Sequence, residues 1–364
     1  MLIQKEANIN VKIHKEKESV GPSCMKRNTW KYSLEHWREI QTKTETKSIS
    51  LFEKIVENGW LGITYVVSEK LDKFGFSIAR AIEVAFKLEK FQFAKTLLST
   101  TTDVKKLNEK VNCRRNLIGS FAFYCRNNAD RELVEDIYSI LKEAGLLVDQ
   151  KDDFGCVPLH SVSLLHNETL VELLLKASPK SARIVDKYGR LPLDAYFWNF
   201  EVGQLKDGKN KILDLMFENG SNCNNTFHSK PIDFLQSGYE NQFKDIDFYS
   251  PEVFLYMNTP NSTLKLTPLM IAIGHKDHDM TKYLISKGAD LNVSDSVGRT
   301  APMIALKTNE KKVLDCVLAN SSIHLSSLDA HGSTIIDHTI TFDPNSMDTF
   351  SFDNGEVMEE LMKG

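Results

Sequence analysis

Residues 203–210 come nearest to a catalytic motif, because Gly203, Gly208 and Lys209 have the Gly-x4-Gly-Lys spacing of a phosphate-binding loop. Such a loop follows a strand, and a Ser or Thr after its lysine ligates magnesium. Here Asn210 follows the lysine, and residues 194–200 have the pattern of a helix. We therefore interpret 203–210 as a loop inserted between two helices, and no phosphate or magnesium site is predicted.

Residues 275–279 form a second candidate site, since His275, Asp277, His278 and Asp279 bring two imidazoles and two carboxylates together. Imidazole and carboxylate groups are common ligands of divalent metals. The segment lies between two apolar helical runs, however, where a polar and solvated turn is expected. A solvated turn is the preferred interpretation, so no metal or other cofactor is predicted.

The six cysteines, at positions 24, 113, 125, 156, 223 and 316, contain no Cys-x-x-Cys pair and no disulfide-framework spacing. Reduced and mostly buried thiols are expected. The sequence also has no Gly-x-Ser-x-Gly elbow, His-Glu-x-x-His pair or Gly-x-Gly-x-x-Gly loop. The prediction is therefore that the chain has no catalytic residues and is not an enzyme.

Composition limits the partners that the chain can have. Of its 364 residues 41% are hydrophobic and 26% charged, which is typical of a globular protein with a sizeable core. The net charge of -4 argues against nucleic acid as a partner, although residues 1–31 hold seven basic against three acidic groups. No signal peptide and no apolar run of membrane-spanning length is found, so we expect no membrane insertion and an intracellular, cytoplasmic or nuclear location.

A repeat of 33 or 34 residues organises much of the chain. Gly155 aligns with Gly189 and Gly298 aligns with Gly332, each 34 residues on, and Thr267 aligns with Thr300, 33 residues on. Threonine followed by proline is a strong helix start, and a glycine able to adopt positive φ ends the second helix. One such unit cannot bury its own apolar face, so the units must stack.

These residues resemble the ankyrin repeat, whose pattern runs Asp-x-x-Gly-x-Thr-Pro-Leu-His, then two short helices, then Gly-Ala-Asp-x-Asn. The resemblance is specific for about 152–220 and 262–340. It implies an all-α solenoid of stacked helix-turn-helix pairs with short hairpin loops, about eight or nine units long. It also implies that His160 forms a hydrogen bond between neighbouring units.

The sequence predicts four segments. Residues 1–45 form a flexible basic segment, 46–150 form diverged helical pairs, and 151–340 form ankyrin repeats with a degenerate unit and insertions at 200–262. In the degenerate unit Pro231 lies in the first half and 251–257 forms the second helix. Residues 341–364 form an acidic last helix, interpreted either as a cap or as a truncated repeat.

The resemblance implies a scaffold module that binds another protein through its concave groove and hairpin tips, with no small-molecule substrate. An alternative is that the chain is the targeting region of a larger enzyme, such as a tankyrase-type ADP-ribosyltransferase, a ubiquitin ligase subunit or a kinase. The variable positions of the repeat give the candidate partner-binding residues Asp153, Phe154, Ser161, Leu164, Lys187, Tyr188, Arg190, Trp198, Val297, Arg299, Lys307 and His331. For Trp198 there is an alternative to partner binding, which is that it packs with Phe197 beneath the inserted loop.

Overall fold

The computed structural model describes residues 56, 77–101, 103–111, 114–126, 129–199, 202–228, 265–308, 310–320 and 322–340. The chain divides into two units at Ser77, and every element described below follows that residue. The basic segment 1–45, the unit around Pro231, the helix at 251–257 and the last helix at 341–364 lie outside the described residues, and so does 46–76 apart from Val56.

The described residues contain thirteen α-helices. They are α1 Ile78–Lys87, α2 Phe91–Thr100, α3 Leu117–Tyr124, α4 Arg131–Glu143, α5 Pro158–Leu164, α6 Glu168–Ala177, α7 Pro192–Trp198, α8 Lys211–Glu218, α9 Pro268–Gly274, α10 His278–Ser286, α11 Ala301–Thr308, α12 Lys311–Leu318 and α13 Ile335–Ile340. Two 3-10 helices, Val104–Asn108 and Pro179–Arg183, join neighbouring pairs, and strands β1 Phe227–His228 and β2 Lys265–Leu266 form one antiparallel sheet.

The helices stack as two rows. In the first row α1, α3, α5 and α7 pack in sequence, and so do α9, α11 and α13. In the second row α2, α4, α6 and α8 pack in sequence, and α10 packs on α12. The predicted solenoid of helix-turn-helix pairs is confirmed for this part of the chain, which contains six pairs and the first helix of another.

Helix starts follow the capping signals in the sequence. The Thr267 hydroxyl accepts the Met270 N–H at 3.2 Å, and Pro268 occupies the first position of α9, where no backbone donor is needed. In the next repeat the proline lies one residue later, and α11 begins at Ala301. Gly288, with φ of 89°, ends the repeat's second helix as predicted.

The core lies between the two rows and inside the first row. Leu159, Leu193 and Leu269 occupy the same place in three repeats, directly after the first-turn proline, and all are fully buried. Burial of one such side chain contributes roughly 1.5–3 kcal/mol. Phe86 and Phe121 continue this core toward α1, with ring centroids 5.0 Å apart.

The repeats on either side of residues 229–264 are neighbours in the stack. Asp214, on α8, accepts hydrogen bonds from Tyr283 Oη at 2.8 Å and Lys287 Nζ at 2.6 Å, both on or beside α10. Phe227 pairs with Leu266, two residues before the α9 proline, as Asp186 pairs with Arg190 two residues before the α7 proline. Strands β1 and β2, the described residues on either side of 229–264, thus stand where the two arms of a hairpin stand in the other repeats.

Candidate partner-binding ridge

Four hairpins in the described residues are each organised by one aspartate. These are Asp152, Asp186, Asp295 and Asp329, the first residue of each Asp-x-x-Gly turn. In every hairpin the aspartate Oδ1 accepts the backbone N–H groups two and four residues later, at 2.8–3.0 Å. One buried carboxylate oxygen therefore holds the whole turn, and the glycine supplies the positive φ that the turn requires.

The second carboxylate oxygen of each hairpin aspartate meets a basic side chain. Arg190 Nε donates to Asp186 Oδ2 at 2.6 Å, and Arg299 Nε donates to Asp295 Oδ2 at 2.9 Å, both four residues along the same hairpin. Asp152 Oδ2 accepts a hydrogen bond from Arg115 Nε of the preceding repeat at 3.1 Å, and Asp329 Oδ2 is hydrogen-bonded to His338 Nε2 of the following helix at 2.9 Å. Burial acts against the charge on Asp329, but hydrogen bonds from its hairpin and from His338 hold its pKa below the usual value.

Arg190 and Arg299 are thereby placed inside the fold. Arg190 is 3% exposed and Arg299 is 7% exposed, and each guanidinium neutralises its own hairpin aspartate. The recurring Asp-to-Arg spacing of four residues is the sequence signal for this role. We therefore leave both arginines out of the proposed contact surface, although the sequence analysis included them.

The tips of consecutive hairpins are joined through their backbones. Lys187 N–H donates to the Phe154 carbonyl at 3.0 Å, and Ala330 N–H donates to the Val297 carbonyl at 2.8 Å. The next hairpin passes so close that a Cβ on Gly155 would lie 2.9 Å from the Lys187 nitrogen. The tips therefore form continuous ridges rather than separate loops.

Two tip ridges result. The first tip ridge consists of Asp153, Phe154, Lys187 and Tyr188, and the second consists of Ser296, Val297, Ala330 and His331. Phe154 and Val297 are half-buried, and the other six are exposed. The Tyr188 side chain is the largest of the exposed ones, at 43%, and the Arg190 guanidinium packs 4.5 Å from its ring centroid.

A family model described as "Ankyrin repeats (3 copies)" matches residues 246–329. The chain carries ankyrin repeats. It is similar to the solved ankyrin repeat domain of Bcl-3, described as a unique member of the IkappaB protein family, at 13% identity over 71% of this chain and 92% of that chain, with a TM-score of 0.47. It is also similar to the human ASB11 ankyrin repeat domain, at 16% identity over 78% and 96%, with a TM-score of 0.46. Ankyrin repeats typically mediate protein–protein interaction and are generally non-catalytic.

Candidate residues on the first helices of these ankyrin repeats are mostly covered. Ser161 and Leu164, on α5, are buried, and Lys307, on α11, is half-buried. Burial and the neighbouring Arg299 lower the pKa of Lys307. Phe197 is buried at the end of α7, whereas the Trp198 side chain lies outside the described residues. The exposed candidates are thus concentrated at the hairpin tips.

Two exposed apolar side chains beside the tips were missed by the sequence analysis. Val185 and Leu328 are exposed, and each directly precedes a hairpin aspartate. The equivalent residues of two other hairpins are Lys151 and Ser294, which are polar. An apolar residue directly before the hairpin aspartate is the sequence signal that could have identified both side chains.

His160 has the structural role that the resemblance implied. Its Nδ1 accepts the Val157 N–H at 3.2 Å, and its Nε2 contacts the Arg190 carbonyl oxygen of the next repeat at 3.1 Å. Burial lowers the pKa of His160, so the imidazole is neutral and the protonated Nε2 donates to the carbonyl. The side chain therefore links two repeats.

The phosphate-loop candidate is an inserted turn, as predicted. It follows α7, Lys206 and Lys209 exchange backbone hydrogen bonds at 2.9 Å, and the Asn210 side chain caps α8 by accepting the Leu213 N–H. Gln204, within the turn, accepts a hydrogen bond from Tyr196 Oη at 2.6 Å. The insertion is thus braced against α7.

The polar segment 275–279 is an interhelical turn. Asp277 caps α10, since its Oδ1 accepts the Met280 N–H at 2.9 Å, and its Oδ2 accepts the Gly203 N–H at 3.0 Å. Both oxygens are occupied by backbone donors. Within the part of the chain that the structure describes, no group of three His, Cys, Asp or Glu side chains is arranged to hold a metal ion.

Three of the described cysteines are buried and reduced. Burial raises the pKa of the Cys125 thiol to about 12 and also raises the pKa values of Cys156 and Cys223. Cys316 is half-buried. These thiols stay protonated near neutral pH and pack as small apolar side chains.

None of the helices in the described ranges is long and apolar enough to cross a membrane.

Proposed function

We propose that this chain is a non-catalytic protein-interaction module, cytoplasmic or nuclear, that contacts another protein through its first tip ridge. The observation that carries the proposal is the combination of exposure and rigidity at Tyr188. Its ring is exposed, while its backbone N–H is bound to Asp186 Oδ1 at 2.8 Å.

Rigidity matters because an interface side chain that is already ordered loses little conformational entropy on binding. The Tyr188 ring packs on Arg190, and Arg190 is in turn fixed by its buried ion pair with Asp186. Large aromatic side chains are also over-represented among the residues that dominate interface energies. Tyr188 is therefore our main candidate for a binding hot spot.

The surroundings of Tyr188 have the composition of a protein interface, with apolar surface beside the ring and polar groups around it. Val185 adds exposed apolar surface on the same hairpin, and Lys187 adds a charge beside it. On the preceding hairpin Asp153 is exposed and lies 3.9 Å from Arg114 Nε, a distance too long for a strong ion pair. An apolar centre with a polar rim is the usual anatomy of a protein–protein interface. The second tip ridge, with Val297 and His331, would extend such a contact.

Site-specific photocrosslinking in the native cell tests this proposal. A photoreactive phenylalanine analogue is placed at position 188 and, as a matched control, at position 147, where Leu147 is exposed but lies outside both ridges. The proposal predicts that one protein crosslinks from position 188 and not from position 147. Equal crosslinking of the same proteins from both positions, or none above background at 188, would refute it.

A further inference from the structure

Asp194 occupies the repeat position that His160 occupies in the preceding repeat. Each is the third residue after the α-helix N-cap, and each accepts the N-cap backbone N–H, from Leu191 at 2.7 Å and from Val157 at 3.2 Å. His160 uses its other nitrogen to donate to a carbonyl of the next repeat, that of Arg190. The register equivalent of Arg190 in the repeat after Asp194 is Leu266.

An ionised aspartate cannot do what His160 does, since it has no proton to donate. Asp194 is fully buried, at 0% exposure. Its Oδ2 already accepts two hydrogen bonds, from the Leu191 N–H and from Asn225 Nδ2 at 2.6 Å. Its Oδ1 is buried without a hydrogen-bond partner in the described residues. Protonation of the carboxyl would remove the negative charge from this buried and unpartnered oxygen.

Asn225 links this carboxyl to a hairpin tip. Its Nδ2 reaches both Asp194 Oδ2 and the Gly189 carbonyl oxygen, the latter at 3.1 Å. Gly189 directly follows Tyr188, and Asn225 lies two residues before β1. The joint formed by Asp194, Asn225 and Gly189 therefore ties the hairpin tip to the segment that leads into β1.

Few charges face Asp194 from the elements packed on α7. The hairpin contributes Asp186 and Arg190, which pair with each other, and α5 contributes His160. The 3-10 helix contributes Lys180 and Arg183, whose side chains are exposed, and α9 has no titratable residue. Burial, together with the charge of Asp186, raises the pKa of Asp194 to about 7, against the hydrogen bonds from Leu191 and Asn225 and the charge of Arg190.

We propose that Asp194 is a proton-dependent latch for the joint with Asn225 and Gly189. When the carboxyl is neutral, Oδ1 stays buried without an electrostatic cost; ionisation leaves a buried charge on the unpartnered Oδ1, and this cost opens the joint although the ionised Oδ2 accepts the Leu191 and Asn225 hydrogen bonds more strongly. The direction follows from linkage. The Asp194 carboxyl has a pKa of about 7 in the folded chain and an ordinary pKa of 3.8 in the unfolded chain. Its proton therefore stabilises the folded state fully below pH 3.8, and this stabilisation is lost as the pH rises to about 7. This inference does not depend on whether the tip ridge binds a partner.

Hydrogen exchange of the full chain tests the latch. Protection of the backbone in 186–196, corrected for the intrinsic pH dependence of exchange, is measured between pH 5.5 and 8 for the wild type and for Asp194→Asn, which cannot ionise. We expect the protection of the wild type to fall by roughly tenfold or more across this range. The variant should change by less than about twofold, because its side chain stays uncharged.

Asp337→Asn is the matched control, since Asp337 also accepts the backbone N–H three residues before it, from Thr334, but is exposed. The control should retain the wild-type pH dependence. Parallel profiles for the wild type and Asp194→Asn would overturn the proposal. If Asp194→Asn does not fold, the carboxyl carbon resonance of Asp194 in the wild type decides: a midpoint near 7 supports the latch, and a midpoint below about 5 overturns it.

Discussion

Two kinds of junction hold this array together. At the regular junctions, from Asp152 to Asp186 and from Asp295 to Asp329, a backbone hydrogen bond joins one hairpin tip to the next. At the central junction, between the repeat of α7 and α8 and the repeat of α9 and α10, residues 229–264 stand in the chain where such a tip would be. Polar side chains form the hydrogen bonds described there, beside the packing of α7 on α9.

The central hydrogen bonds are of two origins: those of Asp214 lie outside the repeat pattern, whereas those of Asn224 recur. Asn224 stands at the last asparagine of the pattern, and its equivalent in the next repeat, Asn292, donates to the Ser322 carbonyl and accepts the His324 N–H, both at 2.7 Å. Asp214 binds Tyr283 and Lys287, and Asn224 both donates to the Gly288 carbonyl and accepts the Asp290 N–H, at 3.3 and 2.8 Å. These bonds join the same two repeats that a tip-to-tip bond would join. Side chains thus keep these two repeats in register on either side of residues 229–264.

Loss of a hairpin arginine should damage the regular junctions most. Arg190→Ala leaves the Asp186 carboxylate buried without its cation, and we expect the free energy of unfolding to fall by about 3–5 kcal/mol. Lys311→Ala, which removes one side of an exposed ion pair with Asp315, is the control and should change it little. Urea denaturation measures both. Equal effects would show that the hairpin pair is not a structural element.

The close approach of consecutive tips gives a second test. In Gly155→Ala the new Cβ lies too close to the Lys187 nitrogen. We expect two costs in the free energy of unfolding: about 1–2 kcal/mol for a side chain at positive φ and roughly 1–3 kcal/mol for overpacking. Gly189→Ala is the matched control, because its φ is 76° but no described atom lies within 4 Å of the added methyl group. Gly155→Ala should be the less stable variant in the same denaturation assay. The opposite order would contradict the tip-to-tip packing.

The central junction should be weakened more gently. Asp214→Ala removes the acceptor of Tyr283 and Lys287, and because the group is partly exposed we expect a loss of only about 1–2 kcal/mol. Hydrogen exchange should rise in α8 and α10 and stay unchanged in α5. A loss spread evenly over all helices would mean that Asp214 does not act at this junction.

Repetition made most of the fold predictable. Helix starts at Pro158, Pro192 and Pro268, and the inserted turn at 203–210, follow from capping and spacing, because such signals act within a few residues. The direct contact across 229–264 was not predictable, since Asp214 and Tyr283 are 69 residues apart and neither is a repeat position. Local patterns carry no information about such a pair.

The candidate surface was predictable only in part. Repeat register correctly identifies which residues stand at the tips, but register alone does not distinguish Tyr188, which is exposed, from Arg190, which is paired internally. The distinction depends on a contact that register does not show. Asp186 holds the turn with one carboxylate oxygen and binds Arg190 with the other. For the same reason we expect substitution of Tyr188 to cost little stability and substitution of Arg190 to cost much.

The most direct test of the proposed role is a binding titration with the protein that crosslinks from position 188. The affinity of the wild type is compared with that of Tyr188→Ala, with Leu147→Ala as the control and thermal unfolding measured for each. We predict that Tyr188→Ala weakens binding by tenfold or more, about 1.4 kcal/mol or above, while its melting temperature stays close to that of the wild type. Unchanged affinity of a folded Tyr188→Ala variant would contradict the account.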